Sequence, residues 1–272
     1  MLLSVRHRTH YTYDPIAQRV ALRLKLFPAD CSSQTVRSWT VTVNGEAPDS
    51  HIVNGYGDGE AIWMGERTEE VEVIAEGLIE TRGSDGVLRN WQMAARPAMF
   101  LRPTSLTEPG EEIRDLAAGF ANIESGLERA HALSAAVRDA IDYRPGSTTA
   151  TTTAVEAMRQ GAGVCQDHAH VLIAAARSLG AAARYVVGYL FVGDDVGSDL
   201  IHQAETHAWA EIWIDNLGWV GFDPSNRICP TDHYIRIASG LDAPDAAPLR
   251  GSVTGNVDEA LEAEVQVRQS QQ

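Results

Sequence analysis

The chain has 272 residues, 22 Lys+Arg against 37 Asp+Glu, and a formal net charge of −15. That length supports one large domain or two smaller ones with a sizeable core, and a hydrophobic fraction of 44% excludes wholesale disorder. The acidic balance argues against a nucleic-acid or anionic-membrane binder, which needs clustered positive charge. With Lys25 the sole lysine, no Gly-Lys pair exists to build a phosphate loop.

Met1 to Arg8 brings in charge before an apolar run can form, so neither a signal-peptide core nor a membrane span is expected. Cys31, Cys165 and Cys229 lie far apart with no CxxC. A disulfide framework is therefore not expected, and a reducing, cytoplasmic setting is the default. Residues 1–82 read as an N-terminal β domain. Thr9–Tyr13 alternates and ends at Asp14-Pro15, and Val20–Leu26 alternates until Pro28. Val36–Val43 turns at Asn44-Gly45, and Ala61–Met64 and Val71–Ile74 complete the set. Such short strands with turn signals suggest an antiparallel sheet or sandwich.

Residues 83–110 read as a connecting segment punctuated by Pro97, Pro103 and Pro109, and 111–240 as an α+β core. Helices are predicted over Glu111–Ala121 and Leu127–Ile141, the second with a buried stripe of Leu133, Val137 and Ile141. Thr153 and Glu156 have capping-box spacing for the next helix. Cys165–Leu179, ended by Gly180, has hardly any polar face and should be buried all round. Strands are predicted over Arg184–Leu190, His207–Ile214 and Trp219–Asp223. The acidic tail, 241–272, has an alternation at Leu261–Val267 that predicts a last strand returning to one of the sheets.

Cys165 sits where a glycine-rich turn becomes a helix, and unpaired N–H groups with the helix dipole favour a thiolate there. Position alone divides evenly between a nucleophile and a small buried hydrophobe. His207, Trp209, Glu211 and Trp213 share one face of a strand, with Ala208, Ala210, Ile212 and Ile214 on the core side. If Asp215-Asn216-Leu217 is a three-residue loop, Trp213 faces Trp219 and Trp209 faces Asp223. His207 is then the diagonal neighbour of Asp223, which would fix its tautomer and stabilise its protonated form. A two- or four-residue loop would put Asp223 on the opposite face.

Four ordered blocks carry a resemblance: Gly163-Val164-Cys165-Gln166-Asp167-His168-Ala169-His170, Ala183–Leu190, Thr206-His207-Ala208-Trp209-Ala210-Glu211, and Gly218–Pro224. Together they resemble the bacterial transglutaminase-like family of cysteine-protease type. Asp142–Thr148 is similar to its pre-cysteine segment, and the early strands to the β domain that precedes its core. The resemblance implies a papain-related core, in which a Cys-bearing helix packs on an antiparallel sheet behind a sandwich-like β domain. It implies Cys165 as nucleophile, His207 as base and acid, and Asp223 as orienter. The expected chemistry is acyl transfer on a peptide or protein amide through a thioester, ending in hydrolysis; transamidation uses the same triad. No cofactor, metal, nucleic acid or membrane is called for, and oligomeric state is left open.

Trp209 is expected as a cleft wall and His168 as a cleft residue one turn from Cys165. His170 and Asp167 read as hydrogen-bonded and capping helix residues. The rival metal readings, Cys165/His168/His170 and His202/Glu205/His207, lack a HExxH or paired CxxC, and residues two apart on a helix point to different faces. A catalytically silent peptide-binding module is the second rival; the intact Cys, His and Asp argue against it. No GxSxG occurs for a serine hydrolase, and Gly161-Ala162-Gly163 breaks from a dinucleotide fingerprint at Gln166.

Overall fold

The computed structural model describes residues 1–48, 50–89, 91–193 and 206–270. In chain order the elements are β1 (Leu2–Phe27), β2 (Gln34–Val43), β3 (His51–Val53), β4 (Gly59–Thr81), β5 (Val87–Leu88), a 3-10 turn (Pro97–Leu101), α1 (Glu111–Ala118), α2 (Gly126–Ala140), β6 (Asp142–Tyr143), α3 (Ala154–Gln160), β7 (Ala162–Gly163) and α4 (Cys165–Ser178). They continue with β8 (Ala183–Leu190), β9 (Thr206–Ile214), β10 (Gly218–Phe222), β11 (Tyr234–Gly240), α5 (Ala243–Ala246), β12 (Leu249–Thr254) and β13 (Asp258–Gln269).

The first sheet differs in length of strand from the sequence reading. The alternations on either side of Asp14-Pro15 belong to one strand, β1, and those at Ala61–Met64 and Val71–Ile74 to another, β4. The pairing continues because the break is absorbed by a bulge: Thr12 pairs with Glu70 and Ala17 with Thr68, so residues 13–16 oppose residue 69 alone. The sheet is six-stranded and antiparallel, in the order β12-β1-β4-β2, with β13 also on β1 and β3 also on β4. Past the bulge the two long strands fold over. Tyr11, Val41, Val71 and Val73 from one half meet Val20, Leu22 and Leu24 from the other in a single core. The Trp39 indole of β2 donates to the Leu26 carbonyl across that core at 2.7 Å.

The second sheet is five-stranded and antiparallel, in the order β11-β8-β9-β10-β5. Helix α4 lies on it with every residue from Asp167 to Arg177 buried, as its composition requires. Helices α2 and α3 pack around α4; Thr153 and Glu156 form the capping box read from the sequence, and Ser125, not singled out there, caps α2 by accepting from the Glu128 N–H. Strand β11 was not predicted. It adds to the edge beside β8 with every residue buried, and a register shift between Arg236 and Ala238 obscures its period.

The two sheets share a seam. Leu3, Val5, Ile79 and Val265 of the first join the core cluster of the helices. Polar contacts cross it as well: His7 Nδ1 lies 2.8 Å from the Tyr189 hydroxyl, and Arg236 Nη1 donates to Asp58 Oδ1 at 2.9 Å. Strand β13, which covers the alternation at Leu261–Val267, pairs along β1 from Leu3↔Gln269 to Asp14↔Asp258. Among the described residues, no helix is long and apolar enough to cross a membrane.

Candidate active site

The first turn of α4 is built tightly. Asp167 Oδ2 reaches back to the Val164 N–H at 2.8 Å and accepts the Thr148 hydroxyl at 2.7 Å. Gly163 makes room for that carboxylate, since a Cβ there would lie 2.6 Å from the Asp167 Cβ. The short parallel pair β6–β7 sets Tyr143 beside Gly163. Cys165 therefore opens a helix whose start is fixed by a buried carboxylate, and its backbone N–H is among those without a partner inside the helix.

The β9–β10 hairpin has the register that places His207 and Asp223 together. Trp219 pairs with Trp213, and Phe222 with Ala210, around a turn in which Asn216 takes φ 68°. The two tryptophan rings meet edge to face with centroids 5.5 Å apart. His207 Nε2 lies 2.7 Å from Asp223 Oδ2. Its other nitrogen, Nδ1, is left for the Cys165 sulfur, which acts on the ring by hydrogen bonding and by charge. Burial alone would push this imidazole down; Asp223 and then Cys165 outweigh it and hold the ring raised to about 10.

Asp223 is fully buried and saturated with donors. Oδ2 accepts Tyr234 Oη at 2.7 Å and Asn226 Nδ2 at 2.9 Å, while Oδ1 accepts Ser225 Oγ at 2.5 Å and the Asn226 N–H at 3.3 Å. Burial raises a carboxyl's affinity for its proton, yet His207 and these donors bring Asp223 below the usual carboxylate range. Sequence reasoning missed all three supporting side chains. Asp223-Pro224-Ser225-Asn226 is itself a turn signature, so Ser225 and Asn226 were within reach of it; Tyr234 lies on the unpredicted β11.

Cys165 and His207 open on one cleft of about 380 Å³, lined also by Tyr143, Gln166, Tyr185 and Val187. A larger concavity of about 500 Å³ lies at the far end of α4, between Leu133, Leu179 and Trp213, and holds none of these groups. Two expectations are corrected. Trp209 is no cleft wall: it is 2% exposed, behind His207 with ring centroids 6.5 Å apart, and Tyr234 of β11 covers it edge-on at 5.5 Å. Gly188 admits the indole, since a Cβ there would lie 2.7 Å from it. His168 does not line the cleft either. It is wholly buried, with Nδ1 2.9 Å from the Val164 carbonyl and Nε2 3.0 Å from the Ile141 carbonyl, because α4 is enclosed on all sides. His170 accepts the Ala243 N–H through Nε2 at 3.0 Å, so three of the four ring nitrogens of these two histidines face backbone groups, and His170 Nδ1 is buried without a hydrogen-bond partner among the described residues. Of the second metal reading, His202 and Glu205 fall outside the described residues.

Glu211, on the His207 face of β9, is enclosed rather than open. It joins Arg184 at 2.6 Å and Arg236 at 3.1 Å, and Arg236 joins Asp58. Trp219 and Trp91 stack on the two guanidinium groups at 4.2 and 4.0 Å.

A cysteine at a helix start, a histidine on the neighbouring strand and a carboxylate behind it are the arrangement of thiol acyl-transfer enzymes. Residues 114–224 match the model of the transglutaminase-like superfamily, and residues 3–80 that of the bacterial transglutaminase-like N-terminal region. The chain belongs to the transglutaminase-like superfamily, with the bacterial form of the N-terminal region. It is 27% identical over 274 residues to an uncharacterised protein of Mycobacterium leprae, covering 97% of this chain and 98% of that one. It is 29% identical to an uncharacterised protein of Mycobacterium tuberculosis, covering 94% and 89%. A segment of 84 residues, 29% of this chain and 12% of the other, is 33% identical to a protein-glutamine gamma-glutamyltransferase of Pseudomonas aeruginosa. The fold matches the crystal structure of a candidate cysteine protease from Cytophaga hutchinsonii with TM-score 0.74 at 21% identity, over 100% of this chain and 92% of that one.

Proposed function

We propose that this chain is a thiol-dependent amidase or peptidase acting on peptides or proteins, with Cys165 as nucleophile, His207 as base and acid, and Asp223 as orienter. The observation that carries the reading is the His207–Asp223 pair at 2.7 Å, with Cys165 on the free side of the imidazole. His207 takes the thiol proton, and the sulfur attacks the amide carbon. His207 then returns the proton to the departing amine. Water accepts the acyl group. Water is always present, whereas a transferase needs a second, dedicated site for its amine. The segment resembling a glutamyltransferase makes transamidation the second reading.

The test is incubation with casein, with and without dansylcadaverine, in wild type and Cys165→Ala, scored for new N-termini, released ammonia and incorporated amine. Hydrolysis that vanishes in Cys165→Ala is expected. Efficient amine incorporation would make the chain a transamidase instead. Failure of His207→Ala to slow Cys165 alkylation by iodoacetamide near neutral pH would remove the thiol mechanism and favour a silent binding module.

A further inference from the structure

The reaction proposed above places negative charge on the carbonyl oxygen under attack, and a thiol enzyme stabilises it with donors fixed in advance. The Cys165 N–H supplies one. Resting on that reading, we propose that the Tyr185 hydroxyl supplies the second.

Tyr185 projects from β8 toward α4 on the cleft that holds Cys165 and His207. It is 4% exposed, its ring is held against His170 with centroids 5.1 Å apart, and its hydroxyl makes no hydrogen bond among the described residues. Unlike the buried polar atoms that lack partners, this hydroxyl borders the cleft, where its donor stays available to an arriving acceptor. The other donors around the cleft are less suited: the Gln166 amide bonds the Ala150 carbonyl at 3.3 Å, Tyr143 has a partner, His207 is needed for the proton, and the Thr206 hydroxyl, though unbonded, is exposed at the start of β9 rather than held within the cleft. Tyr185 also keeps its proton. Burial, then the charges of Cys165, Asp167 and Asp242, push its pKa well above the usual tyrosine value. It is therefore a donor and not a second base.

The step balances without further reagents. The sulfur electron pair forms the C–S bond, and the carbonyl π pair moves onto oxygen. That oxygen accepts from the Cys165 N–H and the Tyr185 O–H, neither of which gives up its proton. Collapse restores C=O, breaks the C–N bond and sends the His207 proton to the amine.

Tyr185→Phe keeps the ring against His170 and removes only the donor. The experiment compares two reactions of Cys165: acylation by p-nitrophenyl acetate, which passes through an oxyanion, and alkylation by iodoacetamide, a displacement that forms none. Acylation is expected to fall roughly 10²–10³-fold, with the rate and pH profile of alkylation unchanged. Acylation within twofold of wild type would overturn the assignment. So would an equal fall in both reactions, which would place Tyr185 on the thiol or on the fold, or a loss in Tyr143→Phe with none in Tyr185→Phe. Nitrophenol release as fast from Cys165→Ala as from wild type would instead bring down the thiol reading itself.

Discussion

Strand β9 carries two charged clusters four residues apart, and they have opposite fates. At His207 the carboxylate of Asp223 is saturated by buried donors, while the imidazole it holds is open on one side to a sulfur and a cleft. At Glu211 the carboxylate is gripped by two arginines, and Trp91 and Trp219 close over them. Both are buried ion pairs on one face of one strand. What separates a reactive group from a structural one here is a single ring nitrogen turned to a sulfur at an open cleft rather than to a second enclosed charge. Breaking either cluster should therefore be felt in different measurements.

The largest effect is expected at the open cluster. Asp223→Asn removes the charge behind His207 and lets the imidazole turn, so acyl transfer should fall roughly 10³–10⁴-fold. The rise of Cys165 alkylation with pH should move upward in the same variant; a turnover close to wild type would show that Asp223 serves only the fold. At the closed cluster the loss is one of stability. Glu211→Ala leaves Arg184 and Arg236 facing each other in the interior and should cost roughly 3–5 kcal/mol in urea unfolding, with Cys165 alkylation unchanged below the transition.

The pH response sharpens the contrast. His207 is raised to about 10 in the folded chain, so its contribution to stability is full below about pH 6.5 and is lost as pH rises through about 10. Wild type should thus lose denaturant resistance between pH 7 and 10, and His207→Ala should show a smaller decline. His7, lowered to about 4 by burial, acts in the other direction. The unfolded chain takes that proton first, so stability falls as pH drops from about 6.5 toward 4. A smaller effect is expected at the corrected residue: His168→Leu removes a buried side-chain hydrogen bond but leaves the Val164 and Ile141 carbonyls their other donors, and should cost about 0.5–1.5 kcal/mol. Turnover per folded molecule should hold; a large loss of turnover at unchanged stability would return His168 to the cleft.

Much of the site was legible because strand period and turn length are local. The three-residue turn at Asp215–Leu217 sets the register that brings His207 to Asp223, and the glycine-rich start of α4 is what makes Cys165 the first helical residue. The family blocks added the roles, which spacing alone could not. What escaped was non-local. Trp209 does share a face with His207, but the face is sealed by β11, whose register slip between Arg236 and Ala238 hides its alternation. His168 turned inward for the reason that made α4 recognisable, its lack of a polar face. The long strands β1 and β4 were broken at Asp14-Pro15 and around Arg67 because a bulge tolerates residues that usually end a strand.

The pairing of β1 with β13 sets an order of events during synthesis. Strand β1 has its outer neighbour more than two hundred residues downstream, across the whole core. Until that partner emerges, one long edge of β1 stands uncovered, the condition under which strands join other chains. The core must therefore be synthesised before the sheet that precedes it can close. Release of a chain shortened before Asp258 would leave that edge permanently open, with aggregation rather than loss of chemistry as its first symptom.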